Sequence, residues 1–466
     1  MKYDNEPIVS AQYTREESGG QLLNPYMEAM PELLSKQEFF ARVKSLPPMP
    51  YELAAMSGEK RRRHLTALHS LFYPMDYMYV IYDMLFRAIT ATYATKSTID
   101  TVRQINAVHQ DFRTGEAAER TFSLQAESGS VLGVPGIGKT STVKRCLNLL
   151  PQVIIHTTYN GKPFYNKQIT HLLVECPSDC SVKTLAFNIA AAIDRAIGSE
   201  YFERMSNLKS ISVSAIATQI KIICLNHHVG VIVIDEIQNA VVTAEKNKQI
   251  KPLIRFLVEL TNDACASIYF VGTPLAEELF VSQEHLKRRT RGVRLLPLKP
   301  GAVYRDFLSV LWPYQYTAHK AELTDKLANK LYDYSAGIPA YIIKIFQEAQ
   351  AQSILSGREL LDESAVQTAV DYLAIQTPKT FMKGSYISDF AVAAATAYPE
   401  YEVADYGDGP GKVPPQTPRL YANPRGRKRT QRDRTDLLEF LKKAKSPAAM
   451  ASVVEKFGLA EVQDPC

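Results

Sequence analysis

At 466 residues the chain is too long for a single hydrophobic core, so two or three domains are expected. Hydrophobic content of 46% and charged content of 22% are those of an ordinary folded, soluble protein, and a formal net charge of +5 permits an acidic partner without demanding one. Six cysteines in this length are not a disulfide framework; with no basic leader and no apolar run of about eighteen, neither export nor membrane spanning is indicated, and a cytoplasmic protein is expected.

Residues 1–109 read as a helical N-terminal region. Its first part is polar and proline-bearing, and LPPMPYELAAM suggests an extended arm with short helices. Then comes KRRRHLTALHSLFYPMDYMYVIYDMLFRAI, Lys60 to Ile89, whose second half is a helical stripe of Tyr, Met and Leu. Such a stripe is either the core of a small helical domain or a surface that meets a partner protein. The run Lys60 to Arg63 is either a set of DNA-phosphate contacts or a solvated helix start.

Residues 110–300 alternate strand and helix. SVLGV is a strand, KTSTVKRCLNLL a helix, and VIIHTTY-NG-KPF a hairpin, because Asn-Gly tolerates the positive φ of a tight primed turn. ITHLLVEC is a strand and VKTLAFNIAAAIDRAI a helix. The helix SAIATQIKIICLNHH leads into VGVIVIDE, a strand apolar on both faces, as in a parallel sheet. PLIRFLVELTND is a helix, ASIYFVGTP a strand and RGVRLLPLKP a fifth short strand. The pattern predicts a three-layer α/β domain with a parallel sheet. Cys176 and Cys180 are four apart, but no second pair follows, so reduced core thiols are expected rather than a zinc site.

Residues 301–376 turn helical in four pieces, a small lid. Residues 377–466 carry YGDGPGKVPPQTPRLYANPRGRKRTQRDR, a flexible basic linker, then DLLEFLKKAKSPAAMASVVEKFG, a helical docking segment.

The string GVPGIGKT fits G-x-x-x-x-G-K-[ST] through Gly133, Gly138, Lys139 and Thr140, after a strand and at a helix start. Gly136 and Gly138 let the backbone turn so that amides of Val134, Pro135-flanking positions and Ile137 to Ser141 surround phosphate oxygens, and the helix N-terminus adds free donors. Lys139 is expected on the outer phosphates and the Thr140 hydroxyl on Mg²⁺. In VIVIDEIQNA, four apolar residues end at Asp235 and Glu236. A carboxylate at the C-terminal edge of a buried strand faces ligand in such sheets. Asp235 is the second Mg²⁺ residue, and Glu236 orients or deprotonates the attacking water. Thr273, after the next strand, is either a hydrogen-bonding sensor of water and γ-phosphate or a simple turn residue. Arg288, Arg289 and Arg291 are either trans-acting on a neighbouring subunit's nucleotide, where a guanidinium fork suits phosphate, or a solvated or DNA-facing patch. Lys344, early in a lid helix, is a further phosphate contact. The expected cofactors are ATP and Mg²⁺.

This order of phosphate loop, strand-terminal Asp-Glu, polar sensor and helical lid resembles AAA+ ATPases. Within them, VLGVPGIGKTST, LLVECPSD, VIVIDEIQNA, IYFVGTP and SAGIPAYIIK resemble the transposition regulators of Tn7-like elements, TnsC and TniB, over about residues 110–350. The resemblance implies an AAA+ P-loop fold with a parallel β-sheet core and helical lid, flanked by a helical N-terminal and a partly flexible C-terminal extension. It implies a bacterial ATPase that forms homo-oligomeric rings or filaments on duplex DNA, with little base readout. Its partners would be a TnsD/TniQ-like target selector and a TnsA/TnsB-like transposase, met through the N- and C-terminal extensions. The second sensor is often Arg in that family, where this chain has Lys344.

Candidate DNA contacts are Lys162, Lys167 and Lys183, and the tail from Arg419 to Arg434, with seven basic residues and one acidic. Two rival readings keep the same core: a stand-alone AAA+ or STAND-type signalling or defence ATPase, and a helicase-loader-like ATPase.

Overall fold

The computed structural model describes residues 6–14, 24–94, 128–207, 212–240, 250–263, 266–276, 290–374 and 401–405, all within the unit Met1–Gly411. Their N-terminal part holds strand β1 (Ile8–Ser10) and helices α1 (Pro25–Glu28), α2 (Lys36–Val43), α3 (Gly58–His64) and α4 (Asp76–Ala94). Side-chain caps set two of these starts. The Asn24 side chain accepts from the amides of Tyr26 and Met27, and Ser35 and Glu38 cap each other reciprocally. The middle of the chain follows as β2 (Ser128–Gly133), α5 (Lys139–Leu147), β3 (Val153–Tyr159), β4 (Lys162–Ile169), β5 (His171–Glu175), α6 (Val182–Ile197), α7 (Tyr201–Ser206), α8 (Val213–Asn226), β6 (Val231–Asp235), α9 (Ile250–Asp263), β7 (Ser267–Gly272) and β8 (Thr290–Leu295). The lid is α10 (Ala302–Leu311), α11 (Asp325–Ser335), α12 (Pro339–Leu355) and α13 (Glu363–Leu373), and β9 (Tyr401–Asp405) comes last.

The main sheet has the order β5-β6-β7-β2-β8-β9. Its first five strands are mutually parallel and β9 runs antiparallel to β8. Strand β6 shows why it is central. Val231 and Val233 enter one apolar cluster with α4, α5 and the lid, while Ile232 and Ile234 enter another with α6, α8 and α9. The period of two thus serves two covered faces, and the strand must be apolar throughout. This is the expected α/β arrangement, with a parallel sheet core, N-terminal helices and a helical lid.

A second sheet, β1-β3-β4, stands beside it. Its hairpin turns at Asn160 and Gly161, both left-handed, with φ of 50° and 72°. The string ITHLLVEC, expected as one strand, is cut at Thr170: Ile169 closes β4 in the small sheet and His171 opens β5 in the large one. The Thr170 hydroxyl donates to the carbonyl of Pro151, and its amide donates to Gln152, which fixes the chain where it changes sheets. Strand β9 was not foreseen, because the segment around it carries no run of alternating apolar residues long enough to stand out.

The Tyr/Met stripe of α4 is core. Tyr77, Met78, Ile81, Tyr82, Leu85, Phe86 and Ile89 are buried on the sheet's face. Polar atoms fix the register of this contact. Thr92 Oγ1 lies 2.7 Å from Ser267 Oγ, Tyr269 donates to the Met84 carbonyl at 3.3 Å, and Tyr93 donates to the Ile169 carbonyl at 2.9 Å. Each large apolar side chain so buried contributes about 1.5–3 kcal/mol. No helix among the described residues is long and apolar enough to cross a membrane.

The run Lys60 to Arg63 splits by helical geometry. Lys60, Arg62 and Arg63 are exposed, whereas Arg61 points inward and joins α3 to the lid. Its guanidinium grips both oxygens of Glu359, at 2.5 and 2.7 Å, and also donates to the carbonyls of Tyr316 and Met56. Glu359 accepts the Ala318 amide as well. All three guanidinium nitrogens and both carboxylate oxygens are therefore engaged, which is what a largely buried pair requires. Removing one partner strands the other charge, so Arg61→Ala should cost about 3 kcal/mol in urea unfolding. Hydrogen bonds from Arg61 hold the Glu359 carboxyl below its usual range. Because that folded value is depressed, the contribution is complete above the ordinary carboxylate value, about pH 4.3, and is lost as pH falls through the lowered one. Arg61→Ala should therefore flatten the acid limb of the stability curve.

Candidate active site

Strand β2 delivers the chain into the glycine-rich loop at the C-terminal edge of the sheet. Gly136 and Gly138 take φ of 82° and 98°, open to glycine at no steric cost. Gly133 is needed for closeness instead: a Cβ there would lie 3.0 Å from Leu295 Cβ and 3.1 Å from the Leu295 carbonyl oxygen. Helix α5 begins at Lys139 without a side-chain cap, so its first amides stay directed at the loop.

Lys139 folds back over this loop, its Nζ donating to the carbonyls of Gly133 (2.8 Å) and Val134 (3.2 Å). Burial lowers the pKa of this ammonium, and the charges of Glu236 and Asp235 oppose the shift. Thr140 and Ser141 follow on the first turn. Thr140 Oγ1 donates to Asp235 Oδ2 at 2.7 Å, which joins the end of β6 to the start of α5. Asp235 is 8% exposed, and its other oxygen accepts the Glu236 amide at 2.9 Å. The structure thus brings Gly133, Val134, Pro135, Gly136, Ile137, Gly138, Lys139, Thr140, Ser141, Asp235 and Glu236 to one edge. A cleft of about 540 Å³ opens beside them, with Thr140, Glu175, Lys144, Arg195, Asp235 and Glu236 in its wall.

The remaining expected residues are placed differently. Thr273 follows β7 directly, and its amide donates to Gln238 Oε1 at 3.1 Å. Lys344 is exposed on α12, one helical turn after Ala340 and so on the same face. The Ala340 amide donates to the Gly136 carbonyl at 3.2 Å, so that face abuts the loop. Arg288 and Arg289 lie outside the described residues. Arg291 stands in β8 opposite Gly129. That is four residues before the loop edge, about 13 Å at strand spacing, so its backbone sits away from its own phosphate loop. Of the DNA candidates, Lys162 is exposed, Lys167 donates to the Ile197 carbonyl and Lys183 lies over the Phe187 ring; the 419–434 tail lies outside the described residues. Cys176 and Cys180 are both buried, and no metal-binding cluster of His, Cys, Asp or Glu occurs among the described residues.

Three residues at this edge escaped the sequence reading. Glu175 ends β5 in register with Asp235, so the strand-terminal-acid rule that found Asp235 also applies to it. Gln238 donates through Nε2 to Glu236 Oε2; only its place two residues after the Asp-Glu pair could have marked it. Tyr77 of α4 sets its hydroxyl 3.5 Å from the Ile137 carbonyl, a contact between distant segments that no local pattern announces.

Residues 123–280 match the family described as an AAA domain. The chain carries an AAA domain. The matched span takes in the loop, Asp235, Glu236 and Thr273. Solved structures with a similar fold include the Aeropyrum pernix ORC1 protein in complex with DNA, at 14% identity and TM-score 0.37 over 59% of this chain and 64% of that one. The Thermotoga maritima RuvB Holliday junction branch migration motor is similar at 13% and 0.30, over 61% and 72%. The Walker-type ATPase of Pyrococcus abyssi is similar at 13% and 0.32, over 64% and 85%. The present chain therefore spans just under two thirds of the ORC1 chain's length. No curated protein matches it.

The residues fit the ATP that an AAA domain binds. Two left-handed glycines shape a backbone cradle, a lysine stands inside it, and a hydroxyl paired with a carboxylate supplies the oxygen donors a hard cation such as Mg²⁺ takes. The two glycines should differ under substitution. At Gly138 an added Cβ meets only the Tyr77 hydroxyl, at 3.8 Å, so alanine costs the left-handed strain of about 1–2 kcal/mol. At Gly136 the same strain applies, and the Cβ also meets Ala340 and Ile338, each at 3.2 Å. Gly136→Ala should weaken binding of a fluorescent ATP analogue more than Gly138→Ala does; equal losses would mean that the lid contact plays no part.

Proposed function

We propose that this AAA domain hydrolyses ATP with Mg²⁺ and uses the cycle to assemble on, and leave, duplex DNA as a homo-oligomer. The carrying observation is the Thr140–Asp235 hydrogen bond, with Glu236 beside it at the mouth of the cleft. The loop amides and Lys139 hold the β- and γ-phosphates. Thr140 and Asp235 hold the cation. When bound, Mg²⁺ neutralises charge on the phosphate oxygens. Glu236 takes a proton from water as the water oxygen bonds to the γ-phosphorus and the bond to the β-phosphate oxygen breaks, releasing ADP and phosphate. Lys344, on the lid face that meets the loop, is a candidate contact to the outer phosphates, and Thr273 a candidate contact to the lytic water. Arg288, Arg289 and Arg291 are the candidates for action on a neighbouring subunit's nucleotide.

The finer reading is that of an adaptor in Tn7-like transposition, linking a TnsD/TniQ-like selector to a TnsA/TnsB-like transposase. It is supported by VLGVPGIGKTST, LLVECPSD, VIVIDEIQNA and SAGIPAYIIK, and by extensions on both sides of the AAA domain. DNA would be held through its backbone, so affinity should fall steeply with salt.

Glu236→Gln should leave ATP affinity intact and slow hydrolysis by about 100-fold or more, accumulating DNA-bound oligomers in electron micrographs. Turnover near wild type would remove Glu236 from the role of base. Lys139→Ala should abolish nucleotide-dependent assembly. If duplex DNA neither stimulates ATP hydrolysis nor nucleates oligomers, the DNA-platform reading fails and a stand-alone ATPase switch takes its place.

A further inference from the structure

The turn that carries Glu236 is held from the neighbouring strand. Glu236 itself is left-handed, with φ of 56°, which a side-chain-bearing residue adopts only when its surroundings impose it. Immediately after it, the Ile237 amide donates to the Val271 carbonyl at 3.0 Å and the buried Ile237 side chain anchors below. Gln238 then reaches across to the end of β7. Its Oε1 accepts the Thr273 amide at 3.1 Å, and its Nε2 donates to Glu236 Oε2.

The orientation of this amide follows from its partners. A backbone N–H can only donate, so the oxygen of Gln238 must face Thr273. The NH₂ group is then turned to Glu236, whose side-chain oxygen accepts from it. Space for the amide is made by Gly272. A Cβ at that position would lie 2.6 Å from Gln238 Oε1 and 2.8 Å from Ile237 Cγ2, so no other residue fits without displacing the bridge. Both sides of the contact are therefore built: a glycine seat on β7 and a glutamine of the right length on the β6 turn.

We propose that Gln238 is a positioning residue that holds the Glu236 carboxylate in place and couples it to the end of β7. This rests on the reading of Glu236 as the hydrolytic base and deepens it. The consequence is a two-ended link. A shift of Thr273, the candidate contact to the lytic water, moves the acceptor end of Gln238, and the donor end moves Glu236 with it. The carboxylate is thereby set by the same strand end that senses the reacting group, rather than by its own flexible side chain.

Two substitutions separate positioning from folding. Gln238→Met keeps length and removes both bonds. Gln238→Glu keeps an acceptor for Thr273 and places a carboxylate against Glu236. Measured on the full chain, both should lower kcat by about 10- to 100-fold, the scale on which misplacement of a catalytic group is felt, with ATP Kd changed by no more than about twofold. Hydrogen exchange at the Thr273 amide should quicken in Gln238→Met and stay slow in Gln238→Glu, showing that the turn is intact where turnover is lost. In a Glu236→Gln background neither substitution should lower turnover further. Wild-type kcat in both variants while Glu236→Gln is inactive would overturn the positioning role alone, as would additive losses in the double variants. A fully active Glu236→Gln would bring down both this role and the reading it rests on.

Discussion

The site depends on one hydrogen bond between two strand ends. Thr140 Oγ1 to Asp235 Oδ2 joins the exits of β2 and β6, strands that are not neighbours in the sheet. Strand β7 lies between them, and its exit carries Gly272 and Thr273. Three consecutive positions along one sheet edge thus deliver a phosphate loop, a pair of carboxylates and a glycine-threonine step. The order β6-β7-β2 follows from the crossovers, and the crossovers follow from helices that must cover both faces of strands apolar on both faces. The chemistry at this edge is a consequence of how the core is layered.

The loop is braced from two further directions. On one side the lid approaches through the Ala340 amide on the Gly136 carbonyl, and on the other α4 approaches through Tyr77 on the carbonyl of Ile137. Both braces act on the loop's outward carbonyls and leave its inward amides for an anion. Lys139 does the opposite: its ammonium rests on the carbonyls of Gly133 and Val134, so part of its hydrogen bonding must be exchanged when phosphate oxygens arrive. Burial weakens its hold on the proton, while Glu236 and Asp235 strengthen it. The two carboxylates that oppose the shift stand at the same edge.

Legibility in the sequence followed the range of the interactions. The phosphate loop, the apolar strand ending in Asp235 and Glu236, and the Asn160–Gly161 hairpin were readable because each is decided within a few residues by backbone freedom or strand burial. The division of ITHLLVEC at Thr170 was not, since both halves have the same composition and only the partner strands differ. The stripe of α4 was ambiguous for a related reason: aromatic and methionine side chains suit a core and a docking face equally, and the contacts that decide, Thr92 with Ser267 and Tyr269 with Met84, join residues far apart in the chain. Arg61 shows the same limit. Within a run of four basic residues its burial is set by a carboxylate nearly three hundred residues away. Gln238 lay inside a string already singled out, yet its role depends on a glycine of another strand.

The N-terminal segment acquires its place from these long-range contacts. Helix α4 packs on the sheet and touches the loop through Tyr77, while α3, earlier in the chain, clamps the lid through Arg61 and Glu359. The lid meets the loop independently at Gly136. Core, lid and N-terminal helices therefore form a closed circuit of contacts that passes through the phosphate loop. Rotation of the lid against the sheet would have to break the Ala340–Gly136 bond and disturb the apolar cluster that lid and sheet share. The Arg61–Glu359 fork is stronger than that bond, since it is bidentate and charge-assisted where the other is a single neutral bond. The N-terminal helices are thus tied to the lid by a charged pair and to the loop by the Tyr77 hydroxyl, while the lid itself meets the loop through one backbone bond.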